Sequence, residues 1–550
     1  SSLAQVGPLF GASLLSWPSA EMGACTGKLP QNPNPIMVPA AAEAAIALSV
    51  GRTLLSSGAQ TGPGENKQGL SDRMELMRTA SQDRAPLVLK RGGNIHEAYE
   101  VEDDVLGEGC NGVVRKGTRR STGVLRAIKS VQKGQMRNVA QFKKEVEVMK
   151  MMDHPNIIKL FEVFEDPRRI YLVMELCEGG ELFDRIIEAG RFTEHEAAIV
   201  MQQILRAVCY MHEKDITHRD LKPENFLFLT KEPIESNVLK LIDFGLSCHS
   251  CSNTVHKECV GTPQYVAPQV LSRRYDRRCD LWSCGVILCT LLSGRAPFGG
   301  KTQAEVMSKV RQGVVHLSGE PWEQVTPDAK NLLRLLLKRN PRERYTAEQA
   351  LAHTWIRNSA PDSAMTDLSL TAGFVEQLRD FRAQSDLKKA ALRLVADQLS
   401  DRQTGLLRSA FYAFDSTGNG MLTLDDLKNC LEKLGLQDEV PNLQQALEEI
   451  DIAGAGAISY TEFLAAALDH KTHLYEEACW TAFNVFEQDK NGCISQDELL
   501  RVTSGSSMST ASSLSSSSRS SATSVGIGRI DFKEFMTIVR ETSRPRVRTW

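Results

Sequence analysis

The sequence has no apolar run that could cross a bilayer, which needs about 18 or more uninterrupted apolar residues. Its best candidate, residues 36–50, is broken by Pro39 and Glu43. There is no excess of either charge. The 65 Lys and Arg stand against 68 Asp and Glu, a net charge of -3, and that near-balance argues against a dedicated nucleic-acid binder. A disulfide framework is also lacking. The 13 cysteines, an odd number, are scattered from Cys25 to Cys493, which in a long chain reads as reduced thiols in an intracellular, cytoplasmic setting. No basic segment precedes an apolar core, so a secretory signal is not expected. The chain opens at Ser1 rather than Met, so membrane association through an acylated amino terminus is not testable from these residues.

What is present is ordinary globular material, 42% hydrophobic and 24% charged. A chain of 550 residues is too long for one core, and the expectation is three or four units of about 100–200 residues each. Residues 1–95, rich in Ala, Ser, Gly and Pro, read as a disordered leader with a short helix over 40–55. From Tyr99 the texture becomes β-branched alternation, then helices with apolar stripes, as far as residue 356. A partly basic helical stretch covers 370–400 and an internal repeat fills 401–540. A basic tail, 541–550, carries Arg544, Arg546 and Arg548.

The first large unit carries phosphate chemistry. Leu106-Gly107-Glu108-Gly109-Cys110-Asn111-Gly112-Val113-Val114 is a glycine-rich turn whose backbone amides can approach phosphates without side-chain obstruction. Lys129 follows on a predicted strand, within reach of the α- and β-phosphates, and Glu145 on the next amphipathic helix is its pairing partner. Then come His218-Arg219-Asp220-Leu221-Lys222-Pro223-Glu224-Asn225 and Asp243-Phe244-Gly245. Phosphoryl transfer needs positioning and charge neutralisation more than covalent help. Asp220 is placed to accept the hydroxyl proton and Lys222 to steady the transferred phosphate. Asn225 and Asp243 supply oxygens for Mg2+, a hard cation.

In this order and spacing, residues 99–356 resemble a Ser/Thr protein kinase. The resemblance implies an α+β, two-lobed fold with ATP between the lobes. It makes Met174 the residue that gates the adenine pocket. Glu175 and Cys177 become the hinge contacts, and Leu106, Val114, Ala127 and Leu227 the apolar faces around the base. Glu181 counts among the nucleotide contacts and, with Glu224, among the positions that meet arginines upstream of the phosphosite in basophilic relatives. Charge complementarity then implies R-x-x-S/T substrates, a pattern that Arg78-Thr79-Ala80-Ser81 also fits. Two departures stand out. Gln269 replaces the family's Glu, whose arginine partner here is Arg344, and the expectation is reduced stability with retained activity. Glu258, in the same activation loop as Thr262, occupies the usual phosphosite position, where a fixed carboxylate pairs with Arg219 without phosphorylation. Cys248, His249, Cys251, His256 and Cys259 have zinc-like spacing, but within an activation loop they are read as metal-free.

The repeat is regular. Gly420, Gly456, Gly492 and Gly528 are 36 residues apart. Two residues after each stands an aliphatic, Leu422, Ile458, Ile494 or Ile530. Six after each stands a carboxylate, Asp426, Glu462, Glu498 or Glu534. A turn glycine, an aliphatic and a closing carboxylate at these offsets look like four EF-hands, whose twelve-residue loops hold calcium through oxygens at positions 1, 3, 5, 9 and 12. Loop one (415–426) offers Asp415, Thr417, Asn419, Thr423 and Asp426. Loop two (451–462) offers Asp451, Ser459 and Glu462, with Ala453 and Ala455 at two ligand positions. Loop three (487–498) offers Glu487, Asp489, Asn491, Ser495 and Glu498. Loop four (523–534) keeps Asp531 and Glu534 and is expected to be structural only. The Ser-rich run 503–524 stands where one helix of the last pair should be and has no apolar stripe.

A kinase followed by four such units resembles the calcium-dependent protein kinases of plants and protists. The whole is then multidomain, a two-lobed kinase followed by an all-α, calmodulin-like module. The family's junction is matched by 374–382 and 387–394, where Leu387, Ala391 and Leu394 share one helical face and Leu392, Val395 and Leu399 another. Such a helix suits a calmodulin-like groove. The resemblance implies ATP, Mg2+ and Ca2+ as cofactors, protein substrates as partners, and a junction that inhibits the kinase until calcium arrives. Two other readings stay open: a constitutively active kinase with relict loops, and a non-catalytic calcium-binding scaffold. Intact Lys129, Asp220, Asn225 and Asp243 argue against the scaffold. Charge is also unevenly shared, since residues 401–540 hold 20 acidic against 11 basic residues.

Overall fold

Side chains that alternate between faces build the first lobe. In a computed structural model of the chain, six strands form one sheet, β1 (Leu89–Gly92), β2 (Tyr99–Gly109), β3 (Gly112–Arg119), β4 (Leu125–Gln132), β5 (Leu160–Glu165) and β6 (Arg169–Met174), in the order β1-β5-β6-β4-β3-β2. The structure describes residues 88–109, 112–136, 138–250, 254–360, 374, 377–381, 384–399, 401–433, 457–468, 476–487, 491–495, 498 and 529–540. The helices of eight residues or more are α1 (Val139–Met151), α2 (Leu182–Ala189), α3 (Glu194–Glu213), α4 (Cys279–Ser293), α5 (Gln303–Gln312), α6 (Pro327–Leu336), α7 (Asp386–Gln398), α8 (Asp401–Phe414), α9 (Leu424–Lys433), α10 (Tyr460–Leu468), α11 (Glu476–Phe486) and α12 (Phe532–Arg540). Among the described residues no helix is long and apolar enough to cross a membrane.

The sheet corrects one expectation. The end of the supposed leader is ordered: β1 pairs in parallel with β5, from Leu89 opposite Glu162 to Gly92 opposite Glu165. Ile95, on a short helix just after it, is fully buried against Tyr99, Phe164 and Val173. Composition hid this strand because four residues between glycines and a disordered-looking flank carry no readable period. The remaining leader, the 40–55 helix, Arg78–Ser81, the Ser-rich run and the basic tail lie outside the described residues.

The second lobe is built around α3 and α4. Thr193 caps α3 in a reciprocal box with Glu196, which satisfies two otherwise orphaned amides. Helix α4 is apolar all round and buried along almost its whole length, as a central core helix should be. Its Trp282 stacks on Phe298 with ring centroids 5.5 Å apart.

Beneath α4 lies Arg344, 2% exposed. It donates to Gln269 Oε1 at 3.2 Å, to the Lys338 carbonyl at 2.8 and 3.0 Å and to the Arg278 carbonyl at 2.7 Å. The arginine is therefore not stranded by the missing Glu. Burial lowers its pKa to about 10, and the unsatisfied atom is Gln269 Nε2. Gln269→Glu replaces that orphaned donor with a charged acceptor, a gain of about 1–3 kcal/mol by analogy with other charge-assisted hydrogen bonds. The kinase lobes then melt higher by about 2–4 °C per kcal/mol. An unchanged melting temperature in calorimetry would refute this account.

The carboxy-terminal helices pair as the aliphatic repeat predicts. β7 (Leu422–Thr423) meets β8 (Ala457–Ile458), with Leu422 opposite Ile458, and β9 (Cys493–Ser495) meets β10 (Arg529–Asp531), with Ile494 opposite Ile530. The exit helix of unit four, α12, is formed. The junction helix α7 runs through the resulting core. Ala391, Leu392, Leu394 and Val395 are all at most 2% exposed, beside Phe411, Phe463, Phe483 and Phe535.

This module docks on the kinase at the segment between α1 and β5 and along α3. A Cβ on Gly420 would come within 2.5 Å of the His154 ring and 2.8 Å of Tyr210, so only glycine permits that approach, and its φ of +73° demands glycine as well. Tyr412 Oη donates to Asn156 Oδ1 at 2.9 Å, and Arg206 lies over the Tyr412 ring at 4.2 Å. Asp153 accepts from the Thr461 amide at 3.1 Å and from its hydroxyl at 2.7 Å. Lys159 pairs with Asp397 on α7, and the Thr461 hydroxyl also lies 3.2 Å from Asp397 Oδ1.

Candidate active site and calcium loops

The glycine-rich hairpin folds as β2 and β3, with Gly109 opposite Gly112. A Cβ on Gly112 would stand 2.3 Å from the Ser130 carbonyl oxygen, so this glycine is needed for strand packing. Cys110 and Asn111 lie outside the described residues. Val114 pairs with Lys129 across β3 and β4, and Ala127 pairs with Met174 across β4 and β6. Ala127 and Met174 are buried, while Leu106 at the rim is exposed. One expectation needs correction. Side chains alternate along a strand, and Val113 lies with Arg115, Ile128, Ser130 and Tyr171 along a cavity on the other face of the sheet from Lys129. Its side chain is not part of the nucleotide pocket. At the hinge the Glu175 amide donates to the Lys159 carbonyl at 3.0 Å and its side chain pairs with Lys240 at 2.9 Å. Cys177 is half-buried, and Glu181 and Leu227 face each other across an isolated bridge.

The charged residues converge. Asn138 caps α1 by accepting from the Gln141 amide. The helix then turns Glu145, 4% exposed, onto Lys129 Nζ at 3.2 Å. Burial pushes the Glu145 carboxyl above its ordinary value, and Lys129 pulls against that. Asp243 Oδ1 accepts from the Gly245 amide at 2.9 Å. Phe244 is buried and meets His218 edge-on at 5.5 Å. Asn225 donates to the Asp220 carbonyl at 2.8 Å. Asp220 Oδ1 accepts from Thr262 Oγ1 at 2.7 Å, and its Oδ2 lies 3.6 Å from Lys222 Nζ. Burial raises the Asp220 pKa, opposed by Lys222 and the Thr262 hydroxyl. A carboxylate so held can orient a hydroxyl and take its proton.

Asp280 was not singled out from the sequence. Fully buried at the start of α4, it accepts from the His218 amide at 2.9 Å, the Arg219 amide at 2.9 Å and His212 Nε2 at 2.9 Å. It thereby fixes the catalytic loop at Arg219, whose φ is +71°, a strained value for a non-glycine residue. The available signal was a lone carboxylate opening a helix that is otherwise apolar.

Arg219 also carries the activation loop. Its Nη1 pairs with Glu258 Oε2 at 2.6 Å and its Nε donates to the Leu246 carbonyl at 2.7 Å. The Arg219 hydrogen bond holds the Glu258 carboxyl below its ordinary value. A paired anion thus stands at the position that the sequence reading assigns to the activation-loop phosphosite. We expect unphosphorylated recombinant protein to be active, phosphatase treatment to leave its rate unchanged, and Glu258→Ala to slow it several-fold in a peptide assay. Loss of activity on phosphatase treatment would contradict this.

Glu181 and Glu224 are neighbours near the cleft. Burial raises both pKa values; the charges of Asp184 and then Glu224 raise the Glu181 value further, and Asp220 adds to the rise at Glu224, with Lys222 opposing both. Among the described residues Glu224 Oε2 has no hydrogen-bond partner. Such a pair favours an incoming cation.

Loop one is closed on itself. Asp415 accepts from the Asn419 amide at 3.1 Å and the Gly420 amide at 2.8 Å, and Thr417 donates to it at 3.3 Å. Asp426 accepts from the Thr423 amide and hydroxyl at 3.1 and 2.6 Å. Both carboxylates are 4% exposed. Burial, abetted by Asp426 and opposed by the Gly420 amide, raises the Asp415 pKa to about 6. Two buried carboxylates, with Asn419 and two threonines beside them, fit a hard cation. Loop three repeats the pattern: Glu487 accepts from the Gly492 amide at 2.8 Å, and Glu498 from the Ser495 amide and hydroxyl at 2.8 and 2.6 Å. The extra methylene of Glu487 does not prevent the position-one contact. Asn491 caps its own turn. Asp489 and, in loop two, Asp451 lie outside the described residues. In loop four Asp531 and Glu534 hold each other's amides at 2.8 and 3.1 Å.

Comparison with known proteins agrees with this geometry. Residues 99–356 match the protein kinase domain family, and residues 406–468 match the EF-hand domain pair. The chain is 40% identical over 446 residues to calcium-dependent protein kinase 5 of Plasmodium falciparum, covering 81% of this chain and 77% of that protein. It is 40% identical over 412 residues to calcium-dependent protein kinase 7 of Arabidopsis thaliana, covering 74% of this chain and 76% of the relative.

Proposed function

This chain belongs to the calcium-dependent protein kinases, and from that premise we propose that calcium at loops one and three controls phosphoryl transfer from ATP to Ser/Thr residues preceded by arginine. The observation that carries the proposal is the junction helix. Helix α7 is enclosed by EF-hand helices on both its apolar faces, and that module is docked behind the kinase while Lys129 and Glu145 are paired. A junction held in this way is unavailable to obstruct the cleft, which supports release of autoinhibition as the switch.

In the reaction, Lys129 orients the α- and β-phosphates and Glu145 holds Lys129. Asp220 orients the substrate hydroxyl and accepts its proton, while Lys222 neutralises charge on the transferred group. Asn225 and Asp243 are the residues that would hold a divalent cation, Mg2+ by their all-oxygen character, which when bound supplies charge neutralisation at the phosphates. Glu181 and Glu224 receive the guanidinium upstream of the phosphosite.

Moving the switch from 1:99 to 99:1 needs about 5.5 kcal/mol of differential binding, or about 2.7 kcal/mol from each of two competent loops. The test is phosphorylation of an R-x-x-S peptide with EGTA or with added calcium. Activity that rises with calcium, and a peptide KM that rises for Glu181→Gln, support the proposal. Equal activity in both buffers would mean a constitutive kinase with relict loops.

A further inference from the structure

Unit two has alanine at two of its calcium-ligand positions, yet its closing carboxylate is arranged like those of the other units. In all four units the position-twelve side chain accepts from the position-nine amide: Asp426 from Thr423, Glu462 from Ser459 at 3.2 Å, Glu498 from Ser495 and Glu534 from Asp531. Glu462 is 3% exposed, and a buried carboxylate needs a counter-charge. Positions three and five of this loop are Ala453 and Ala455, so the usual ligands for a metal are missing from the sequence. The counter-charge is present in another form. Arg393, on α7, places its guanidinium on Glu462 Oε1.

We propose that Arg393 takes the place of calcium in unit two, making that unit a calcium-independent fastening between the junction helix and the kinase. One turn further along α7, Asp397 meets the Thr461 hydroxyl and pairs with Lys159 of the kinase. Asp153 of the kinase receives the Thr461 amide and hydroxyl. Two consecutive turns of the junction and one kinase carboxylate therefore grip the first turn of α10. In this arrangement Glu462, the closing carboxylate that loop two would offer to a metal, is held by the guanidinium instead. Calcium then acts through units one and three, and unit two keeps the module tethered in both states. This rests on the kinase-control reading above but concerns a different contact.

The experiment uses the full chain and compares EGTA with calcium. Amide hydrogen exchange at Thr461, Glu462 and Phe463 should be equally slow in both. Arg393→Ala should speed it about tenfold in both buffers, as expected for loss of one charge-assisted hydrogen bond, and Arg393→Lys should restore most of the protection. Equilibrium dialysis with calcium should give the same number of bound ions for Glu462→Gln as for the parent. Protection that appears in the parent only with calcium, or one fewer ion in Glu462→Gln, overturns the proposal, and both readings are independent of whether Arg393→Ala folds. Peptide phosphorylation in the same two buffers tests calcium control separately. Equal activity together with calcium-independent protection would refute that control and leave the fastening intact.

Discussion

Asp220→Asn lowers kcat by about 10²–10⁴-fold, the range expected when a general base is removed, and leaves folding and ATP affinity unchanged. The substituted amide still receives the Thr262 hydroxyl, because Oδ1 is kept. What disappears is the ability to accept a proton and the charge that faces Lys222. An interaction made only as the hydroxyl loses its proton affects kcat rather than ground-state binding. Steady-state kinetics, with nucleotide binding measured separately, check this. A kcat within a few-fold of the parent would remove Asp220 from its role.

Asp280→Asn is expected to lower both stability and activity. Three donors converge on the Asp280 carboxylate: the His218 and Arg219 amides and His212. An Asn side chain has one acceptor oxygen, and its NH2 would face a backbone amide. Breaking a buried, fully paired charge costs about 3–5 kcal/mol, and displacing the catalytic loop by about an ångström costs about 10²-fold in rate. Thermal unfolding and kcat should therefore fall together, unlike in Asp220→Asn. The pH dependence follows from the shift. Burial alone pushes the Asp280 carboxyl up, but the His212 hydrogen bond and charge, with His218 and the Arg219 amide, outweigh it and hold the pKa below the ordinary value. The folded protein thus binds this proton less readily than the unfolded chain. Its contribution to stability is complete above the ordinary aspartate pKa and is lost as pH falls through the folded one. Asp280→Asn should flatten that part of the acid unfolding curve. A variant with parent melting temperature and rate would sink the assignment.

The residues proposed for catalysis could be picked out because each lies in a short contiguous string, where residue type and spacing carry the chemistry. The EF-hand pairing was legible from a period, since the aliphatics at 422, 458, 494 and 530 had to meet. Three features were not. β1 is four residues long and gets its partner from β5, 73 positions later, with Leu89 opposite Glu162. The role of Asp280 depends on amides 61 and 62 positions away. The fastening of Thr461 to Asp153 spans 308 positions, and no local pattern encodes such a pairing. Val113 is a different case, because strand alternation placed it opposite Val114 and the motif reading grouped both with the nucleotide.

The link from Glu175 through Lys159 to Asp397 has a thermodynamic consequence. Glu175 is the expected adenine contact, its amide rests on the Lys159 carbonyl, and the Lys159 ammonium holds the junction. Binding at two ends of one such chain is linked in both directions. Whatever factor calcium contributes to nucleotide affinity, nucleotide must return to calcium affinity. A cell's ATP level would then help set the calcium concentration at which this molecule responds.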